Sequence, residues 1–366
     1  MPGRQLSSEF IDCGWRGKSI RHYTGGGAGT NGTVFELTLQ PDGKWAETLL
    51  YQFGNLSTGS PNAGLVIDSS GNLYGSTQAV PDNGLFGLVF ELTPSQNGWT
   101  ETTLHTFLGD GDGYGPNSAL VIDNKGNLYG TTFTGGAGGY GIVFELQKSN
   151  GSWTEIILHS FSGGRDGSSP VGLAIDASDN LYGVASGRGA AYRGLIFRLT
   201  FSNGHWKKQT LHSFIGGRGG SDPTGNLVLG KKGTIYGTTS LGGGGGCVGG
   251  CGIVFKLGLD SRGKWRETAL HVFKSDGRDG NGPLLWFNHG PNLYGVTSGG
   301  GRFGLGTIFE MLPAFDGTWI ERVMYSFTGG KDGGNPYGLI FSSGGLFGAA
   351  TQGGENFYGD VFELTP

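Results

Sequence analysis

The chain has 366 residues with a formal net charge of −4, and 78 of them are Gly, about three times the usual share of about 7%. Charged residues are only 15% while hydrophobic residues are 36% and aromatics 12%, which is unlike the polar, highly charged composition of disordered chains. Gly does not recur at every third position, the acidic balance offers no basic footprint for nucleic acid, and no apolar run reaches the 18 residues of a membrane span.

In chain order, residues 1–30 are a degenerate start, in which Glu9–Asp12 and Tyr23–Gly27 align poorly with later segments. The opening stretch lacks the apolar core of a secretory signal. From Gly32 onward a period takes over. The string G-x-[VI]-F-[EKR]-[LM] occurs seven times, with its Phe at 35, 90, 144, 197, 255, 309 and 362. N-L-Y-G or a near copy places aromatics at Tyr74, Tyr129, Tyr182, Tyr236, Tyr294 and Phe347. W-x-x-x-x-[LM]-[HY]-x-F starts at Trp45, Trp99, Trp153, Trp206, Trp265 and Trp319. Three anchors keep one period of about 54 residues, with units starting near 61, 116, 170, 223, 283 and 336.

Each unit reads as four short strands. In the one starting at Pro116, Ala119–Asp123 is an apolar run and Asn124–Asn127 is a tight turn. Leu128–Thr132 is rich in aromatic and β-branched residues, as are Ile142–Leu146 and Trp153–Phe161. Four strands per unit, repeated at this length, predict an all-β fold, a β-propeller formed by one domain over 1–366. Two closures are open. Seven four-stranded blades use every clear strand, the last lacking its outer strand because the chain ends at Pro366. Six blades close if Trp45–Phe53 supplies that strand and Thr33–Leu37 is left over.

Gly-Asn-Leu-Tyr-Gly-Thr-Thr at 126–132, a Gly-Gly loop, then Gly141-Ile-Val-Phe-Glu-Leu146 resembles the bacterial tandem repeat called GloVer over about residues 24–366. The resemblance implies a surface or secreted repeat protein, with no assigned reaction or catalytic residues. The family's members carry a C-terminal anchor, which has no counterpart here, so export is an expectation from the resemblance alone.

An up-and-down meander gathers two loop families at one end of every blade, where function sits on such scaffolds. The Gly-rich loops are one family. The G-G-x-D-G-x-x-P loops are the other, with Asp112, Asp166, Asp279 and Asp332, and basic neighbours Arg165, Arg278 and Lys331. Ser57 and Gly219 replace the Asp in two units. Asp beside Gly favours turns, because its carboxylate accepts nearby backbone N–H groups. The alternative is a surface for a polar ligand such as a glycan, with Tyr114, Tyr140 or Tyr337 stacking. Asp110 and Asp112 alternate with Gly as a weak Ca²⁺ candidate, without the later bidentate Glu of a calcium loop; no other cofactor is indicated.

His105, His159, His212 and His271 recur on the outer strand, with Tyr51 and Tyr325 at the same place, and read as structural hydrogen-bonding groups. Cys247 and Cys251 lie in the one longer Gly-rich loop and are candidates for a small disulfide, fitting an exported protein. Trp286–Asn288, Glu355, Arg188 and Arg193 depart from the repeat. No nucleophile, zinc-protease or phosphate-loop motif occurs. The expectation is a monomeric, non-catalytic extracellular propeller binding a polar ligand, with a hydrolase or lyase acting on a polysaccharide or lactone as the alternative.

Overall fold

The computed structural model describes residues 6–10, 18–23, 32–54, 60–77, 84, 86–109, 111–274, 285–286, 291–342, 345–355, 357 and 359–365. The fold is an all-β propeller; helix is confined to three three-residue 3-10 turns among the described residues. Six sheets are complete meanders of at least four strands, and the C-terminal sheet has three. Seven four-stranded blades are therefore not what forms. The count is six, followed by the incomplete sheet of Gly334–Ser342, Gly345–Gln352 and Asp360–Leu364. Trp45–Gln52 pairs with Thr33–Leu39 in the first blade. Its Trp45 ring meets Phe347 edge-on at 5.4 Å, and Trp45 Nε1 donates to Glu363 Oε2 at 3.2 Å.

The third blade shows how the repeat builds each sheet. Its inner edge is Tyr114–Pro116 with Val121–Ile122, followed by Leu128–Thr134, Ile142–Ser149 and Ser152–Ser160. Gly130 of the second strand lies opposite Phe144 of the third. A Cβ on Gly130 would meet Phe144 Cζ at 2.5 Å and Leu120 Cδ2 at 2.8 Å, so the Gly after each Tyr makes room for the Phe ring. The same near contact recurs at Gly75, Gly183, Gly237, Gly295 and Gly348. That is why N-L-Y-G and the Phe motif keep step along the chain.

Between third and outer strands the register shifts at one place in all six blades, as between Val143 and Phe144. His159 pairs with Val143 and Ile157 with Phe144, so Leu158 is the extra residue of a β-bulge. The bulge turns Leu158 inward, where it is buried. The Leu or Met five residues after each Trp is thus a packing residue. The Phe that ends each outer strand enters the next sheet: Phe53 meets Phe90, Phe107 meets Phe144, Phe214 meets Phe255 and Phe273 meets Phe309, at 5.1–5.3 Å between ring centres. Each such ring contributes roughly 2–3 kcal/mol by burial.

By contacts, the chain forms two compact units, residues 1–161, 340–347 and 363–366, and residues 162–339 and 348–362.

Candidate functional site: carboxylates on the outer strands

The Asp loops fold back on their own turns. Asp112 Oδ2 accepts the backbone N–H of Leu108 at 2.9 Å, and its Oδ1 that of Gly109 at 3.1 Å. Asp166 Oδ2 accepts from Ser162 N at 2.9 Å and Ser162 Oγ at 3.2 Å. Asp332 Oδ2 accepts from Thr328 N and from Tyr325 Oη, both at 2.9 Å, and its Oδ1 accepts from Thr328 Oγ1. Burial works against charge on Asp332, yet these hydrogen bonds hold its carboxyl below the usual range. The carboxylate spans the loop between an outer strand and the next blade's inner strand.

Arg165 is exposed, and Lys331 pairs with Glu355 at 3.2 Å on the surface. Tyr114 packs on Phe86 with ring centres 5.0 Å apart, while Tyr140 and Tyr337 are half-buried. Asp110, Arg278 and Asp279 lie outside the described residues. The Arg193 carbonyl accepts the N–H of Asp222 at 3.0 Å, where Asp222 holds φ 52° before the inner-strand Pro223. Arg188 sits at φ 59°, and its carbonyl accepts the N–H of Gly194 at 2.7 Å. Leu285–Trp286 is a short inner strand, while residues 287–290, with His289, are outside the description. Cys247 and Cys251 are joined by a disulfide. Among the described residues no group of three or more His, Cys, Asp or Glu is placed to hold a metal ion.

A further group stands against two of these loops. Two residues after the Trp of each outer strand is Glu47, Glu101, Glu155, Glu267 or Glu321, with Lys208 the exception. Where the bulge is passed, His105 lies edge-on to Phe107 at 4.7 Å, as His159, His212 and His271 lie on the Phe two residues later. His105 Nε2 is 3.7 Å from Asp112 Oδ2 and 3.9 Å from Glu155 Oε2. Glu155 comes from the third blade's outer strand, His105 and Asp112 from the second blade's outer strand and the loop after it. The three side chains keep 12–20% of their surface exposed, but His105 Nε2 and Glu155 Oε1 are themselves buried and without a hydrogen-bond partner.

Burial pushes the Glu155 carboxyl up to about 7, and the Asp112 charge adds to the push. Its Oε1 is buried without a hydrogen-bond partner. Burial also pushes His105 below the usual imidazole range, with Asp112 opposing. Near neutral pH the cluster therefore combines a neutral imidazole, a carboxyl near its midpoint and a turn-bound Asp. Shifted acid and base groups side by side are what proton-transfer chemistry uses. In the fifth blade Glu267 is likewise pushed up to about 7 by burial, with Oε1 unpartnered. Lys208 instead donates to the Asp166 carbonyl at 2.6 Å and to Asp166 Oδ1 at 2.7 Å.

Carboxylates at the opposite hairpins are committed to structure. Asp123 Oδ1 accepts from Lys125 N and Asn127 N, and its Oδ2 from Asn127 Nδ2 and Tyr129 Oη. Asp68 and Asp176 make the same set, with Asn72 and Tyr74 and with Asn180 and Tyr182.

The chain belongs to the Gloeobacter/Verrucomicrobia repeat family, which matches residues 14–255 and 210–366. No curated protein matches it. Among solved structures it is similar to a provisionally assigned 6-phosphogluconolactonase from Bacteroides uniformis, at 16% identity and TM-score 0.58, over 88% of this chain and 86% of that one. A second such protein, from Bacteroides fragilis, matches at 15% identity and TM-score 0.58, over 92% and 88%. A hypothetical selenium-binding protein from Sulfolobus tokodaii matches at 10% identity and TM-score 0.55, over 79% and 71%. At these identities the likeness is one of fold.

Proposed function

We propose that this repeat propeller is a hydrolase of sugar lactones, with Glu155, His105 and Asp112 as its acid–base centre. The observation that carries the reading is a carboxyl lifted to about 7 with a neutral, largely buried imidazole 3.9 Å away. Structures of similar fold described as 6-phosphogluconolactonases support the substrate class. In the proposed reaction His105 Nε2 takes a proton from the water that attacks the lactone carbonyl. Glu155, in its acid form, gives a proton to the ring oxygen as the C–O bond breaks. Collapse gives the open hydroxy acid, which releases its carboxylic proton to solvent, and the proton held on His105 passes to Glu155, restoring both groups. Asp112, at 3.7 Å, stabilises the imidazolium that forms.

The test is pH-stat assay of the purified chain on glucono-δ-lactone, its 6-phosphate and unsubstituted δ-valerolactone. The expected result is turnover above spontaneous hydrolysis, with a rate limb near pH 7. Glu155→Gln is expected to lower kcat/KM by about 100-fold or more. Background rates, or a Glu155→Gln enzyme as fast as the parent, would sink the reading.

A non-catalytic module for a polar ligand is the second reading. It is favoured by the turn-bound state of Asp112, Asp166 and Asp332, which gives those carboxylates a purpose without chemistry. Residence outside the cell belongs to both readings and is supported by the Cys247–Cys251 disulfide.

A further inference from the structure

In the second unit, five apolar side chains stand out at loop tips: Tyr192, Ile215, Val248, Phe303 and Phe357. They range from 50% exposed at Phe303 to full exposure at Val248. Each lies in a loop after a second strand or after an outer strand, and in a meander these loops share one end of their sheet. Main-chain hydrogen bonds sew neighbouring loops together. Asp222 N donates to the Arg193 carbonyl at 3.0 Å, Gly243 N to that of Gly217 at 2.6 Å, Asn335 N to that of Leu305 at 2.7 Å and Gly354 N to that of Gly330 at 2.9 Å. The five tips therefore belong to one loop surface.

Two of them stand where other blades keep Gly. Gly139 and Gly304 close the Gly-rich turns of the third and sixth blades by donating to the carbonyls of Gly136 and Gly301, with φ 74° and 78°. Tyr192 and Phe357 close the same turn onto Gly189 and Gly354, both at 3.2 Å, with φ 58° and 60°. A bulky residue in left-handed backbone is strained. Its ring, left in solvent, recovers nothing by burial within its own fold, so the strain points to a contact outside the chain.

Cations flank the tips. Arg193 follows Tyr192, and its Nε lies 3.8 Å from where a Cβ on Gly216 would stand, beside Ile215. The Arg302 guanidinium is 5.5 Å from the Phe303 ring centre, and Arg218 is exposed in the turn that follows Ile215. Among the described acids at this end, Asp166 is held by Lys208, Glu355 by Lys331 and Asp332 by its own turn. Asp222, Glu267 and Asp360 are half-buried. The exposed charge beside the tips is thus positive.

We propose that this loop surface docks on an anionic lipid bilayer, with the five tips entering the boundary between headgroups and acyl chains and Arg193, Arg218 and Arg302 meeting lipid phosphates. Aromatic rings and Arg side chains suit that boundary, where one end of each is wet and the other apolar. Ile215 and Val248 serve there as well as the rings do, because a bilayer reads apolarity, whereas a sugar needs flat faces on which to stack. Apolar burial and attraction to anionic lipid add in such docking. The inference does not depend on the hydrolase reading, and neither test bears on the other.

The experiment is flotation of the full chain with vesicles of phosphatidylcholine mixed with phosphatidylglycerol, and with vesicles of phosphatidylcholine alone, at low and high salt. Partition onto the mixed vesicles is expected, about 10-fold or more above the neutral ones and weakened by salt. Phe303→Ser with Phe357→Ser should weaken it about 10-fold or more. Arg193→Gln, Arg218→Gln and Arg302→Gln together should weaken it about 100-fold on the mixed vesicles only. Tyr192→Gly should weaken partition several-fold while raising the urea midpoint, because the turn is relieved as the anchor is lost. Phe315→Ser removes an exposed ring beside Asp316, in the turn at the other end of its sheet, and should leave partition unchanged. No partition, partition indifferent to phosphatidylglycerol, or an equal loss in Phe315→Ser overturns the proposal. So does binding to dextran sulfate with the vesicles left unbound, since a soluble polyanion would then be the partner.

Discussion

The acidic cluster of the second and third blades and the Asp166 turn of the fourth are built on the same repeat positions, yet one is a salt bridge and the other is not. Lys208 closes on Asp166 at 2.7 Å, with its side chain 7% exposed. Glu155 has no cation at His105 and Asp112, and its carboxyl rises to about 7. One residue two places after a Trp decides the difference. With Lys, the turn Asp is neutralised and the pair is structural. With Glu, desolvation and like charge raise the carboxyl into the range where a proton is exchanged at neutral pH. A repeat that keeps backbone, bulge and Phe contacts constant can thus turn a salt-bridged turn into one faced by a carboxyl that titrates near neutrality, by one exchange.

Lys208→Glu tests the salt-bridge side. It removes the buried ammonium and sets a second carboxylate against Asp166 and its carbonyl. Breaking a buried pair in this way typically costs about 3–5 kcal/mol. A lower urea midpoint with an unchanged slope is expected; a midpoint within a few tenths molar of the parent's would mean that Lys208 contributes little.

Glu155→Lys makes the reciprocal change. The proposed lactone hydrolysis is expected to fall about 100-fold or more, because the proposed proton donor is lost and an ammonium stands beside His105. Stability at pH 8 should rise by about 1–2 kcal/mol as Asp112 gains a cation. Retained activity in a more stable protein would assign Glu155 to packing alone.

The pH dependence of stability separates the two clusters again. Glu155 binds its proton more tightly folded than unfolded, so between about pH 4.5 and about 7 the native state holds the extra proton. Stability from this group is full below pH 4.5 and is lost as pH rises through about 7, roughly 3 kcal/mol in all. Glu267 has the same sign and window. His105 has the opposite sign: its folded value is depressed, so its contribution is lost as pH falls below the usual 6.5. Chemical denaturation from pH 4.5 to 8 should show a smaller decline in Glu155→Gln than in the parent. Identical slopes would place the Glu155 carboxyl near its ordinary value.

Much of the scaffold is legible in the sequence because its contacts are local to the repeat. Gly130 and Phe144 are opposite each other in one hairpin, so their spacing encodes their contact. Asp112, Asp166 and Asp332 lie four residues beyond the N–H groups they accept, and Asp-Gly turns announce that. The outer-strand Glu is different. W-x-E recurs in the sequence, but on an alternating outer strand it reads as a solvated position. Its burial comes from the adjacent blade, about one full period away in the chain, and no local pattern carries that information.

Gly219 offers the finest test of the comparison. It replaces the Asp of the fourth-to-fifth blade turn, and a Cβ there would meet Glu267 Oε2 at 3.0 Å. Gly219→Asp therefore sets a carboxylate beside Glu267, as Asp112 stands beside Glu155. Glu267 is already pushed up to about 7 by burial alone. A second carboxylate within a few ångströms should push it further and cost about 1 kcal/mol at pH 8, fading as pH drops and Glu267 takes its proton. If Gly219→Asp instead stabilises the protein at pH 8, the new carboxylate has turned to the backbone N–H groups of the turn. Turn capping, rather than charge repulsion, would then govern these sites.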